Sequence, residues 1–260
     1  MYPILLRLGS FELRTYGVVV ALSFLLALWL SAREAKRKGL DPAIVQDFAF
    51  YAFLAGIVGA RLYFVMFSQP AYFLRKPLEI LAIWHGGLGI LGGLAGGVLT
   101  ALWYCRKKNV SLRRLADVLA PGLILGQATG ILACLATGDS HGKPTDVPWA
   151  ITYTDPRAMA PLNVPLHPVE FYEIAAYLLV FAVVWSTRTR YKTEGLTFLT
   201  YLAGYGAARF AVEFFRGHPA TLGPGVPAAQ VFGLALVLVS AVAWFFAARS
   251  SRKAAPVAQP

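Results

Sequence analysis

The chain has 260 residues, 57% of them hydrophobic and 14% charged, with a mean hydropathy of +0.58. These values exclude an ordinary water-soluble domain, and 17 Phe, 12 Tyr and 6 Trp exclude a disordered chain, whose composition is poor in aromatics. The net charge of +11 fits nucleic acid, anionic lipid or membrane topology, and only the positions of the charges discriminate among them.

Weakly charged stretches near twenty residues long predict seven transmembrane helices, since a hydrocarbon core of about 30 Å needs that length at a rise of about 1.5 Å per residue. Their limits are 16–32, 46–67, 86–104, 115–137, 169–186, 196–215 and 228–248, within a single membrane domain 1–260. The first follows a stretch containing Arg7, Glu12 and Arg14 and lacks a small-residue cleavage site, so it reads as a retained helix and not a signal peptide. The connections after spans one, three and five, with the tail that holds Arg249, Arg252 and Lys253, carry fifteen basic residues; the other extramembrane segments carry seven. That bias puts the N-terminus outside and the C-terminus in the cytoplasm. The basic excess is therefore mostly topological. Nucleic-acid binding is not expected, because the clusters 33–38 and 106–114 are short juxtamembrane loops without interleaved aromatics.

In chain order, Tyr16 opens the first span on the outer side, with Arg14 just before it. The second begins near Asp47, read as meeting its helix dipole, and carries Arg61 near its outer end. The third contains WHGGLGILGGLAGG, whose Gly89/Gly93, Gly92/Gly96 and Gly93/Gly97 spacings permit close helix approach. A helix without side chains on one face also leaves room for an acyl chain or headgroup, so Gly92 and Gly93 are candidates for lipid contact. His85, at the aqueous border, reads as interfacial. The fourth span starts near Asp117, again read as a dipole partner, and contains Cys134. With Cys105 at the opposite face, the two thiols are too far apart for a disulfide.

Residues 138–168 form the one sizeable extramembrane segment, a turn-rich head facing outside, with Asp139 at its start and His141 and His167 read as solvated loop histidines. The fifth span opens near Glu173, and the sixth carries Arg209 and Glu213 on one face. Arg14, Tyr16, Arg61, Asp139, Glu173, Arg209 and Glu213 thus converge at the outer depth. Ionisable groups inside a membrane are costly, which makes them candidate functional residues, with mutual neutralisation as the competing explanation. Several guanidinium groups in an outer pocket suit a phosphate, and hence a phospholipid headgroup. No His/Cys cluster has metal spacing, and neither a phosphate loop nor a GxSxG elbow is present.

LRTYG at 13–17, GARLYFVMF at 59–67, WHGGLGILGGLAGG at 84–97, HGKPTDVPWA at 141–150, HPVEFYE at 167–173 and GYGAARFAVEFFR at 204–216 together resemble the prolipoprotein diacylglyceryl transferases over essentially the whole chain. The resemblance implies an all-α, seven-helix enzyme of the bacterial cytoplasmic membrane with a periplasmic head. It implies transfer of the diacylglyceryl group of phosphatidylglycerol to the lipobox cysteine of a preprolipoprotein, releasing glycerol 1-phosphate, with no metal or cofactor. On that pattern Arg209, Glu213, Asp139 and Tyr16 are the catalytic candidates, and Arg61, Arg209, Arg216, Gly142, Gly92 and Gly93 the lipid- and phosphate-binding ones. The family signature G-R-x-G-N-F-x-N-x-E-x-x-G aligns with residues 130–142, where Ile131 replaces the arginine, Cys134 and Thr137 the asparagines and Asp139 the glutamate. Leu91 also stands where many members have histidine. A lipid- or lipoprotein-binding paralogue without turnover is therefore the alternative on the same scaffold. A small secondary transporter is a third reading, disfavoured by the lack of an internal repeat.

Overall fold

The computed structural model describes residues 4–8, 11–217, 220–221 and 225–253. The side chains of Arg7, Glu12, His85, Arg252 and Lys253 lie outside the described set. The protein is mostly helical. Its α-helices are α1 (Thr15–Arg37), α2 (Pro42–Phe67), the short α3 (Pro70–Arg75), α4 (Ile90–Lys108), α5 (Leu112–Thr137), α6 (Val169–Thr187), α7 (Leu196–Val212) and α8 (Ala228–Lys253). Five of them, α1, α2, α5, α6 and α8, are long and apolar enough to cross a membrane. Of the remaining long helices, α4 matches α6 in length at 19 residues but closes on Arg106, Lys107 and Lys108, and α7 is shorter at 17.

Local chemistry accounts for several ends. Asp41 caps α2 by accepting from the Ala43 amide at 2.9 Å, with Pro42 in the first helical position, where a missing N–H costs nothing. Asn109 ends α4 in the left-handed region at φ 52°. The expectation of an all-α chain needs one amendment. Strands β1 (Ile4–Leu8) and β2 (Phe11–Arg14) form an antiparallel hairpin, and β3 (Ile151–Thr152) pairs with β4 (Pro165–Leu166) in the head. Two-residue strands are too short to show a period, which hides the second pair from pattern reading.

The chain divides into two compact units. In the unit of residues 32–115, α2 packs on α4 through facing glycines. A Cβ on Gly92 would stand 2.1 Å from the Gly59 carbonyl oxygen, and one on Gly59 would stand 2.4 Å from that of Gly92. Backbone-to-backbone approach this close is what the small-residue spacing permits. Of the two glycines expected to contact lipid, Gly92 packs against Gly59 and Tyr63, and Gly93 faces the Gly56 carbonyl. Asp47 serves no dipole either. It lies beyond the first turn of α2 and faces Lys108, 3.9 Å away, and the Tyr104 hydroxyl, 3.4 Å away.

The unit of residues 1–31 and 116–260 is built on α5, α6 and α7. Ala120, Ile124 and Ala128 of α5 pack with Tyr177, Val180 and Val184 of α6 and with Tyr201 and Ala208 of α7. Gly206 and Gly233 bring α7 against α8, and Gly122 brings α5 against Ala27 of α1. Asp117, expected to serve its own helix, instead accepts from the Gly195 and Phe198 amides at 2.9 Å each. It caps α7, whose N-cap residue Gly195 has no side chain to do so. The head carries a small core of its own in Tyr153, Ala160 and Leu166.

Candidate active site

A closed ring of charges forms where α6 and α7 meet the end of the head. Arg209 donates from Nη1 to Glu173 Oε1 at 2.6 Å and from Nη2 to Glu213 Oε2 at 3.2 Å. Arg216 donates from Nη2 to Glu173 Oε2 at 3.1 Å and from Nε to Glu213 Oε2 at 3.0 Å. The two carboxylates are buried, each with a side chain 2% exposed, whereas the arginine side chains are 19% and 14% exposed. Burial of this kind is tolerated because every charge has an opposite partner. The Tyr177 hydroxyl donates to Glu173 Oε1 at 2.7 Å.

Helix geometry explains the ring. Arg209 and Glu213 are one turn apart, and α7 passes at Glu213–Phe215 into a 3₁₀ turn that brings Arg216 round to the same carboxylates. Arg216 also donates to the Ser140 hydroxyl, and its backbone bridges to Gly142. A Cβ on Gly142 would lie 2.4 Å from the His167 carbonyl oxygen, so this glycine is needed for close backbone approach. Asp139, exposed at the start of the head, accepts from Thr137 Oγ1 at 3.2 Å. Tyr16, at the start of α1, lies near Cys134 and Asp139. Tyr16, Asp139, Glu173, Arg209, Glu213 and Arg216 all belong to this unit.

Arg61, expected to grip phosphate, has a different setting. Its Nε donates to the Ile80 carbonyl at 2.9 Å, Nη1 to Gly86 and Gly87 at 2.5 and 3.0 Å, and Nη2 to Glu79 and Ala82 at 2.6 and 3.2 Å. A guanidinium has five N–H groups, so all are committed to the chain that curls around it. Arg209, by contrast, uses two of its five on the glutamates, and no other partner stands among the described residues. It is the in-span arginine with donors to spare.

Pattern reading missed three participants. Tyr153, 1% exposed, donates to Oε1 of the fully buried Glu170 at 3.1 Å, tying the head to α6. Burial, reinforced by that carboxyl, pushes the Tyr153 phenol above its usual range, so it remains a donor. Ser140 is the third. Nothing in the local sequence marks Tyr153 or Ser140, whose roles depend on distant partners, whereas Glu170, a carboxylate inside the expected fifth span, carried the signal of membrane cost. His167, expected in solvent, has its Nδ1 3.2 Å from the Tyr172 hydroxyl, which also receives the Trp149 indole N–H at 2.7 Å. In the head's outer turn, hydrogen bonds from Arg157 hold the Asp155 carboxyl down to about 2.

The family model described as prolipoprotein diacylglyceryl transferase matches residues 3–246. The chain belongs to this family. Named members resemble it along most of their length. A phosphatidylglycerol–prolipoprotein diacylglyceryl transferase of Bordetella avium is 34% identical over 258 residues, 96% of each chain. Proteins of the same name from Geobacter sulfurreducens and Aromatoleum aromaticum are 35% and 36% identical, covering 85% and 91% of this chain and 84% and 92% of their own. Against the family signature, Ile131 is the informative departure. It packs on the apolar cluster of α5, α6 and α7 that includes Tyr177, one contact away from Glu173.

Proposed function

We propose that this protein transfers the diacylglyceryl group of phosphatidylglycerol to the thiol of a prolipoprotein cysteine, within lipoprotein maturation. The observation that carries the reading is Arg209: a guanidinium fixed by two buried carboxylates, with three N–H groups still unpaired among the described residues and a side chain that is partly exposed. In the reaction the substrate sulfur bonds to the glyceryl carbon that bears the phosphate ester. The carbon–oxygen bond breaks with its electron pair leaving on glycerol 1-phosphate, and the thiol proton passes to a base. Negative charge grows on the leaving phosphate, where preoriented donors are most effective. Glu173 and Glu213 prevent Arg209 from reorienting, Arg216 secures both glutamates, and Tyr16 supplies a hydroxyl to the headgroup. Asp139, exposed where the ring glutamates are buried and so within reach of a substrate thiol, is the better proton acceptor.

The same reading places the protein in the bacterial cytoplasmic membrane. It has seven crossings, including α4 and α7, the N-terminus outside, the head in the periplasm and a lipobox cysteine as the acceptor. The charge bias of the loops and the apolar helices support that orientation. Ile131 favours a second reading, a lipid-binding member without turnover, since it removes a phosphate ligand. Incubation with phosphatidylglycerol and a lipobox peptide separates the two: release of glycerol phosphate with a lipidated peptide supports transfer, and saturable lipid binding without product supports the alternative. Arg209→Ala is expected to lower turnover by about 10²–10³-fold, the scale of losing a donor at a developing oxyanion, with the protein still folded in detergent. Near-normal turnover would remove Arg209 from the mechanism.

A further inference from the structure

The unit of residues 32–115 contains a feature that the transfer reaction does not use. Leu99, Leu102, Trp103, Arg106 and Lys107 recur at the three- and four-residue spacing of one helical stripe on α4 and line an open groove of about 630 Å³. Its floor is apolar and accessible: Leu99 is 65% exposed and Trp103 47%. Its last turn is cationic. Lys107 Nζ stands 4.9 Å over the Trp103 ring, which is itself held edge-on by Tyr51.

The charges at this end are unequal. Lys108 has a carboxylate neighbour in Asp47, but among the described residues neither Arg106 nor Lys107 is paired with an acid. The carbonyl end of α4 makes two adjacent cations tolerable there without satisfying them. A ligand that fits both halves needs a hydrocarbon part for Leu99, Leu102 and Trp103 and a phosphate for Arg106 and Lys107.

We propose that this face of α4 binds an anionic phospholipid of the bilayer, using residues that take no part in the arginine–glutamate ring. Acyl chains lie along the leucines and the indole. The phosphate bridges the guanidinium, which grips two oxygens, and the ammonium, which acts as a point charge. A free phosphate makes no use of the floor, and a zwitterionic headgroup brings its own cation against Lys107. In the orientation given above the site faces the cytoplasmic leaflet, although binding itself does not depend on that orientation.

The test is native mass spectrometry of the full chain in detergent, titrated with phosphatidylglycerol or phosphatidylcholine. Arg106→Gln with Lys107→Gln is expected to weaken one phosphatidylglycerol binding event about ten- to thirtyfold, the effect of two interfacial charges, and to leave phosphatidylcholine binding unchanged. Leu99→Gln with Leu102→Gln, which keeps the cations, is expected to weaken the same event. Equal phosphatidylglycerol binding by wild type and the charge variant overturns the proposal, as does equal loss for both lipids. Wild-type binding by the leucine variant overturns the acyl-chain half. Thermal melting and peptide lipidation by the charge variant should match wild type, so this readout fails independently of the transfer reaction.

Discussion

What an arginine contributes in a membrane depends on how many of its N–H groups the fold has already used. Arg61 and Arg209 look alike in sequence, each a lone cation in an apolar span, and composition ranks them equally. The structure separates them: five carbonyl oxygens from residues 79–87 close around Arg61, whereas Arg209 is steadied by glutamates and keeps donors free. Arg61 is thus an anchor for the segment leading into α4, including Gly86 and Gly87, both at positive φ. Lysine has three donors at a single point and fails to replace a planar fork that serves five acceptors. Arg61→Lys is therefore expected to cost about 3 kcal/mol, the scale of leaving two or more buried carbonyls unpaired. Its signs are a lower melting temperature in detergent and faster proteolysis between residues 79 and 87. An unchanged melting temperature would refute the anchoring role. Glu173, Arg209 and Glu213 were legible from cost alone, since buried charge needs a reason, whereas Arg216, beyond the sixth span, was marked only by the family resemblance. Tyr153 and Ser140 were not legible, because a tyrosine or serine has no comparable cost until its partner is known, and Glu170 was passed over although the same cost applied to it.

At the scale of helices, hydropathy marked the long helical segments to within about five residues at their ends, and glycine spacing marked a close helix approach without naming α2 as the partner. What the glycines do was ambiguous, because a missing side chain leaves room equally for a lipid or for another backbone. Gly92 and Gly97 resolve this within one helix. A Cβ at Gly92 would meet Gly59 at 2.1 Å, while one at Gly97 would meet nothing within 4 Å. Gly92→Ala is expected to destabilise the protein by about 1–3 kcal/mol through forced separation of α2 and α4. Gly97→Ala is expected to be neutral or to stabilise by up to about 1 kcal/mol, since alanine loses less backbone entropy in a helix. Thermal denaturation of both variants in the same detergent checks the pair. Equal effects would mean the glycines matter only through helix propensity. Asp117 carries a related lesson. A carboxylate at a helix start reads as a cap for that helix, and only the approach of α7 gives it a different amide pair to serve.

For the whole molecule, the distribution of lysine and arginine is the strongest single signal, and it makes a directional prediction. In a chain with Cys105 and Cys134 replaced by serine, Thr145→Cys in the head should react with an impermeant maleimide in intact spheroplasts. Lys192→Cys, between α6 and α7, should react only after the membrane is opened. The reverse pattern would overturn the orientation. Sequence alone determined that the protein is a helical membrane protein, roughly where its helices run and which family it belongs to. Those properties follow from transfer energies and local periodicity, which are summed residue by residue along the chain. Only tertiary structure decided which charges are free. A guanidinium surrounded by carbonyls and one held by carboxylates differ solely in what distant segments bring to them, and hydrogen-bond saturation is a property of the folded neighbourhood.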